Sequence, residues 1–271
     1  MIVKARIEDY EIQRFVNRRK EIFPYVKDVD GNYYMTIISP QHGRSFLLQR
    51  INDQHWIIGK GNGLSYSTYT YLFTSQHDTD TWGGLSLKDA LRDFDIGMEI
   101  NSLGIKTNKM EFVLELPFNT VFRGIREKAG LLQYSVECPY RISDYAFIPS
   151  SILKKSISTW YKNENGKPLH LQAAKILFSN LKILHDNKIL HNAINIQNYT
   201  WALELVDFEA SHTPQIPYGS MTYQSYIPMI SEMEILQTYE IVYYIAWCIG
   251  ESPNYNEIQK IIKSFGFKLD K

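Results

Sequence analysis

Two polar residues in the C-terminal half have the types and the spacing needed to hold a metal ion. Asn198 follows His191 by seven residues, and Asp207 follows Asn198 by nine. Amide and carboxylate oxygens are ligands that magnesium prefers, and phosphates and water commonly complete its octahedral shell. The pair therefore predicts a site for Mg²⁺, or Mn²⁺, together with a phosphate-bearing molecule.

The residues between these two ligands predict how they are brought together. Residues 199–201 and 203–206 are rich in β-formers and are expected to form two short strands that fold back on each other. His191 is expected to brace this loop from inside rather than to react. The same spacing is the one by which protein-kinase-like folds hold the metal of a bound nucleotide, so ATP is the predicted ligand.

A second group of candidate residues lies in the N-terminal half. Lys60 ends a short strand and is followed by Gly61 and Gly63, where the backbone can approach an anion closely. Asp93 lies on the next predicted helix. A strand lysine held toward phosphates by an acidic helix residue is a recurring device, so Lys60, Gly61 and Gly63 are predicted to bind the nucleotide and Asp93 to orient Lys60.

The pattern of apolar residues changes near the middle of the chain. Residues 33–75 and the segments 111–116 and 131–137 read as strands. Between them, Leu87, Leu91, Phe94 and Met98 define one face of a helix that stops at Gly104, with Asp93 on the polar side. Residues 171–184 and 233–249 read as long helices. The predicted class is α+β with a two-lobe protein-kinase-like fold: a β-rich N-lobe over 1–139 and a helical C-lobe over 140–271.

Composition limits the partners and the compartment. The chain of 271 residues has 29 basic and 29 acidic side chains, so no charge excess favours nucleic acid or an acidic membrane surface. Cys138 and Cys248 have no metal-site spacing. The N-terminus carries charges where a signal peptide has an apolar run, and residues 241–249 are too few to span a bilayer. We expect a cytoplasmic protein that binds neither nucleic acid nor membrane.

Several segments of the chain resemble, in the same order, the motifs of the selenoprotein O family. Residues 191–200 are similar to that family's H-G-V-M-N-T-D-N-M-S loop almost position for position. The other similar segments are residues 59–67, 90–94, 102–107, 121–123, 131–141 and 206–208. The resemblance runs, with gaps, from about residue 40 to about residue 210.

This resemblance implies a fold and an activity. Members of the family look like protein kinases, bind ATP in a flipped orientation and transfer AMP to Ser, Thr or Tyr hydroxyls. By resemblance, Lys60 and Arg141 contact phosphates, Asp93 orients Lys60, and Asn198 and Asp207 hold Mg²⁺ or Mn²⁺. The implied function is an ATP-dependent AMP transferase, a pseudokinase in lineage, acting on a protein or small-molecule acceptor.

The chain departs from these patterns at five positions, one of which is Glu209 in place of the usual Gly. Ala193 stands where ordinary kinases keep a catalytic Asp, and Gln197 where selenoprotein O relatives have one; neither side chain takes a proton near neutral pH. Tyr134 replaces a second phosphate-binding arginine. Asp93 is one methylene shorter than the family's Glu, which predicts a longer or water-mediated link to Lys60.

Three functions stay open at this point. AMP transfer is favoured, because such transfers depend mainly on positioning and charge stabilisation and demand little of a base. Ordinary phosphotransfer is the second, since residues 206–209 also echo the I-D-F-E of small-molecule kinases. The third is a catalytically inactive nucleotide-binding scaffold. Glu209 is either an additional acid near the metal or an outward-facing surface residue.

Overall fold

The structure is a computed structural model that divides into two compact units. The first comprises residues 1–95 and 108–139, and the second comprises 96–107 and 140–271. Residues 96–107 thus group with the second unit, although they precede the predicted boundary after residue 139. The described residues are 2–3, 11–16, 22–27, 36–38, 44–52, 54–61, 84–122, 124–160, 168–219 and 223–269.

The first unit is built on a mainly antiparallel sheet. Its strands are β1 (Ile2–Val3), β2 (Glu11–Val16), β3 (Ile22–Lys27), β4 (Thr36–Ile37), β5 (Ser45–Asn52), β6 (His55–Lys60), β7 (Leu85–Ser86), β8 (Lys109–Phe122) and β9 (Ile125–Val136). The order across the sheet is β1-β8-β9-β6-β5-β4, with β7 also paired to β9, and β2 and β3 form a separate hairpin. Among the strands that the structure describes, β1 alone runs parallel to its partner, which is β8.

A long hairpin of β8 and β9 forms the centre of this sheet. Both strands are longer than the predicted segments 111–116 and 131–137, because their pairing continues to the turn at Gly124. Gly124 has φ +74°, which favours glycine. A buried cluster on the hairpin comprises Leu114, Leu116, Ala129 and Leu131, and burial of such side chains stabilises the sheet.

The helix that carries Asp93, α1, runs over Leu87–Ser102. Ser86 Oγ accepts the backbone N–H of Asp89 at 3.0 Å, so Ser86 caps the first turn. Gly104, with φ +83°, follows the last turn as predicted. The predicted buried face was wrong in two respects: Met98 is half exposed, whereas Asp93 is buried. The helix packs through its small and polar positions as well as its large apolar ones.

The second unit is helical. It contains a short 3₁₀ turn at Ile142–Asp144 and the helices α2 (Ser150–Ser158), α3 (Leu169–Asp186), α4 (Tyr223–Cys248) and α5 (Tyr255–Ser264). Its largest fully buried side chains include Phe178 on α3 and Trp201 in the loop after it. The predicted α+β class, with an antiparallel sheet in the N-terminal part and helices in the C-terminal part, is confirmed. Within the described ranges, no helix has the length and apolar character needed to cross a bilayer.

The start of α3 is capped by a carboxylate from elsewhere in this unit. Glu251 accepts the backbone N–H groups of Leu169 and His170 at 2.9 and 3.0 Å, and His170 Nδ1 lies 2.6 Å from its Oε2. Burial alone would raise the pKa of Glu251, but these hydrogen bonds outweigh it and lower the pKa below its ordinary value. Glu251 is therefore ionised in the folded protein and satisfies two N–H groups that the helix leaves unpaired.

Replacing Glu251 with glutamine is expected to make the stability less dependent on pH. Because folding lowers the pKa of Glu251, its stabilising contribution is complete above the ordinary glutamate pKa and disappears as the pH falls through the folded-state pKa. At pH 7 the variant should lose about 1–2 kcal/mol of unfolding free energy, in the range for a helix cap. Urea unfolding at pH 7 and pH 3 measures this, and an equal loss at both values would contradict it.

Candidate functional site

The buried ion pair between Lys60 and Asp93 is the charged centre of the first unit. Lys60 is the last residue of β6, between Ser45 of β5 and Leu132 of β9. Lys60 Nζ lies 2.6 Å from Asp93 Oδ2, and the two side chains are 3% and 1% exposed. The expected longer or water-mediated link is wrong, since the shorter acid makes direct contact. Such a pair can hold the lysine in one position.

The glycine after Lys60 has a structural reason to be there. Gly61 has φ +96°, and a Cβ at this position would lie 2.8 Å from Leu85 Cβ and 2.9 Å from the carbonyl oxygen of Gly130. Its N–H donates to the Arg44 carbonyl at 2.9 Å. Close packing therefore explains Gly61, and its predicted contact with a nucleotide stays a prediction. Gly63 lies outside the described residues.

Asn198 and Asp207 belong to one compact loop of the second unit. The predicted pair of strands is reduced to an isolated antiparallel bridge between Tyr199 and Leu205. The Val206 N–H donates to the Asn198 carbonyl at 3.0 Å, which holds the two ends of the loop together. Asp207 has φ +71°, a left-handed conformation that Asp and Asn adopt more readily than most residues.

The amide of Asn198 is oriented by hydrogen bonds on both sides. Its Nδ2 donates to the Ala193 carbonyl at 2.8 Å, while its Oδ1 accepts from Arg141 Nη1 at 3.0 Å. Asn198 is buried, so this orientation is built into the loop. The amide oxygen, the atom a metal ion would take, is therefore directed toward the Arg141 guanidinium.

His191 braces the loop from inside. Its Nε2 donates to the Val206 carbonyl at 3.1 Å, and its ring packs edge-on against Phe208. Complete burial lowers the pKa of His191, although the Glu234 and Asp207 carboxylates act in the opposite direction. A neutral imidazole that donates one hydrogen bond fits a structural role.

Arg141 lies against both predicted metal ligands. Its backbone N–H donates to Asp144 Oδ2 at 2.7 Å, and its backbone pairs with Thr200. Its Nη1 donates to the Gln197 carbonyl and lies 3.7 Å from Asp207 Oδ2. The phosphate contact that the resemblance implies for Arg141 stays a prediction. The contact with the ligand pair was not predicted, because it joins residues more than 50 positions apart.

Glu234 of α4 is a further residue that the sequence reading missed. Its carboxylate accepts the Asn192 N–H at 2.8 Å and lies 2.7 Å from His185 Nε2. Asn192 Nδ2 donates to the Ala210 carbonyl at 2.8 Å, which ties the start of the loop to the segment after Asp207. The available sequence signal was an acidic residue within a long, mostly apolar helical segment; the structure shows that Glu234 is buried, and a buried carboxylate needs partners.

The donor atoms around Asp207 fit a hard divalent cation. A carboxylate oxygen of Glu209 lies within 4.8 Å of one of Asp207, and both residues are partly buried. Glu209 is therefore near the predicted metal ligand. Carboxylate and amide oxygens are the donors that Mg²⁺ and Mn²⁺ favour. Asn198, Asp207 and Glu209 are thus the residues of this unit that would hold such an ion.

Comparison with known proteins finds a similar chain among solved structures, but none among protein-family models or curated proteins. No protein-family model matches the chain, and no curated protein matches it. Among solved structures, a crystal structure of a Stt7 homologue from Micromonas algae soaked with ATP is 9% identical, with a TM-score of 0.43 over 86% of this chain and 75% of that one. A functional assignment therefore depends on two groups of residues: the Lys60–Asp93 pair of the first unit, and Arg141, Asn198, Asp207 and Glu209 of the second.

Proposed function

We propose that the protein is an ATP-dependent nucleotidyltransferase of the selenoprotein O type, with a protein-kinase-like fold. It would transfer AMP to a hydroxyl of a protein or small molecule. The observation that carries nucleotide binding is the direct, buried Lys60–Asp93 pair at the end of β6. A buried lysine held by one carboxylate is costly unless its charge is used, and phosphates are the ligands such a lysine serves in kinase-like sites.

The roles of the individual residues follow from their chemistry. Lys60 would contact phosphates, and Asp93 holds its ammonium in place. Asn198 and Asp207 would hold the divalent ion, with Glu209 near Asp207. When bound, Mg²⁺ or Mn²⁺ would neutralise phosphate charge in the transition state. Arg141 supplies a planar set of donors for phosphate oxygens.

The alanine at position 193 favours AMP transfer over phosphate transfer. Ala193 stands where kinases hold the acid that accepts the hydroxyl proton, and its carbonyl is occupied by Asn198 Nδ2. In the proposed reaction the acceptor oxygen bonds to the α-phosphorus while the bond to the oxygen bridging α and β breaks. Pyrophosphate leaves, and the hydroxyl proton passes to water.

One observation favours phosphotransfer as a second candidate. The carboxylate of Glu209 is within 4.8 Å of that of Asp207, and residues 206–209 echo the I-D-F-E of small-molecule kinases. In that case the acceptor would receive the γ-phosphate and ADP would leave. The same residues would bind the nucleotide in both cases, so only the transferred group separates the two.

ATP labelled separately at the α and γ positions tests the proposed function. The protein is incubated with each label, Mg²⁺ or Mn²⁺, and a panel of hydroxyl-bearing proteins and small molecules, itself included. We expect α-label on the acceptor, pyrophosphate release and a gain of one adenylyl group by intact mass. Transfer of γ-label alone would establish a kinase instead. Tight ATP binding without transfer of either label would indicate a scaffold.

A further inference from the structure

One guanidinium nitrogen of Arg141 faces three oxygen atoms of the loop over residues 191–207, which contains the predicted metal ligands and is called the metal-ligand loop below. Arg141 Nη1 donates to the Gln197 carbonyl, lies 3.0 Å from Asn198 Oδ1 and 3.7 Å from Asp207 Oδ2. A backbone carbonyl, an amide oxygen and a carboxylate oxygen are the ligand types that a hard divalent cation collects. A positively charged group of the protein thus lies where the two predicted ligands converge.

The position of Arg141 is set by the backbone as well as by its side chain. Its N–H donates to the buried Asp144 carboxylate, and its backbone forms a bridge with Thr200, which lies within the loop. Its side chain is 14% exposed, and that of Asp207 is 28% exposed. This arginine is therefore partly buried and held against the loop, unlike an arginine whose side chain extends into solvent.

We infer that Arg141 acts as an internal cation whose positive charge opposes the binding of free divalent ions to the Asn198–Asp207 pair. This inference rests on the proposed function, since it takes the pair as the metal ligands. Arg141 Nη1 is 3.0 Å from Asn198 Oδ1, so a divalent ion bound to that oxygen would lie close to the guanidinium. The two positive charges would repel each other. The nucleotide-free protein consequently binds Mg²⁺ or Mn²⁺ poorly.

Nucleotide binding relieves this block. Phosphate oxygens offer the guanidinium a doubly hydrogen-bonded partner of higher negative charge, so they compete for Arg141 with Asn198 and Asp207. The ligand oxygens are then released for the ion. Arg141 thereby couples metal binding to nucleotide binding, and the phosphate contact and the loop contact are two states of one side chain.

Titration of the nucleotide-free protein with Mn²⁺, followed by the electron paramagnetic resonance signal of the free ion, tests the inference. We expect Arg141→Met to bind Mn²⁺ at least tenfold more tightly than the wild type. Arg141→Lys keeps the charge and should bind as weakly as the wild type. Adding Asp207→Asn to Arg141→Met should remove the gained site. Circular dichroism monitors folding, and Arg141→Gln replaces Arg141→Met if the latter does not fold.

Two results would overturn the inference. The first is a neutral variant that binds Mn²⁺ no more tightly than the wild type, whether both bind or neither does. The second is a gained site that survives Asp207→Asn, because the ion would then bind elsewhere. Since no nucleotide is present, a failure here leaves AMP transfer untouched. Conversely, a gained site in Arg141→Met would stand even if no AMP were transferred.

Discussion

Replacement of Lys60 with methionine is expected to lower the free energy of unfolding by about 3–5 kcal/mol, the usual cost of breaking a buried ion pair. Methionine approximates the length of the lysine side chain but leaves the Asp93 carboxylate buried without its ammonium partner. The two charged atoms are 2.6 Å apart and almost wholly buried, so water replaces the lost contact poorly. Urea unfolding followed by circular dichroism measures the change.

Two further variants distinguish the loss of this buried ion pair from the loss of any lysine charge. Lys182→Met removes the lysine of an exposed pair with Asp186 on α3 and should cost less than about 1 kcal/mol. The double variant Lys60→Met/Asp93→Leu removes both buried charges and should be more stable than either single variant. The single variant Asp93→Leu completes the comparison. If the loss of unfolding free energy in the double variant equalled the sum of the losses in Lys60→Met and Asp93→Leu, the pair would not be energetically coupled.

The sequence predicted the features that depend on local pattern. The strand ending at Lys60, the helix ending before Gly104 and the loop between His191 and Asp207 follow from β-formers, a C-terminal glycine and motif spacing. The helix predicted over 233–249 is observed as α4. It ends one residue before the predicted end, at Cys248, but begins ten residues before the predicted start, at Tyr223. Local rules of this kind are effective because they involve neighbours in the chain.

Most features that depend on long-range partners were not predicted. The link between Lys60 and Asp93 was predicted, but the burial of Asp93 was not, because Asp93 was assigned to the polar side of α1. The contacts of Arg141 with Asn198 and of Glu251 with the start of α3 join residues 57 and 82 positions apart. No periodicity encodes such pairs, because they are formed only when distant segments pack together.

Replacement of Asp207 with asparagine is expected to weaken magnesium-dependent ATP binding by more than tenfold. Asparagine tolerates the left-handed backbone at φ +71°, so the variant removes a negative charge without adding strain. It leaves a neutral amide where the ion is expected to find a carboxylate, and the loss of one charge-assisted contact is worth about 1.5–3 kcal/mol. Calorimetric titration with ATP at saturating Mg²⁺ gives the dissociation constant directly.

The same titration, carried out on the wild type and on a matched control, is the most direct test that the chain handles a nucleotide through this loop. Asp186→Asn makes the same chemical change and the same change in net charge at a side chain that is 57% exposed on α3. We predict that the wild type and Asp186→Asn bind ATP equally well, while Asp207→Asn binds at least tenfold more weakly. Equal affinity of all three proteins, or no ATP binding by the wild type, would contradict the assignment of Asn198 and Asp207 to a nucleotide-bound metal.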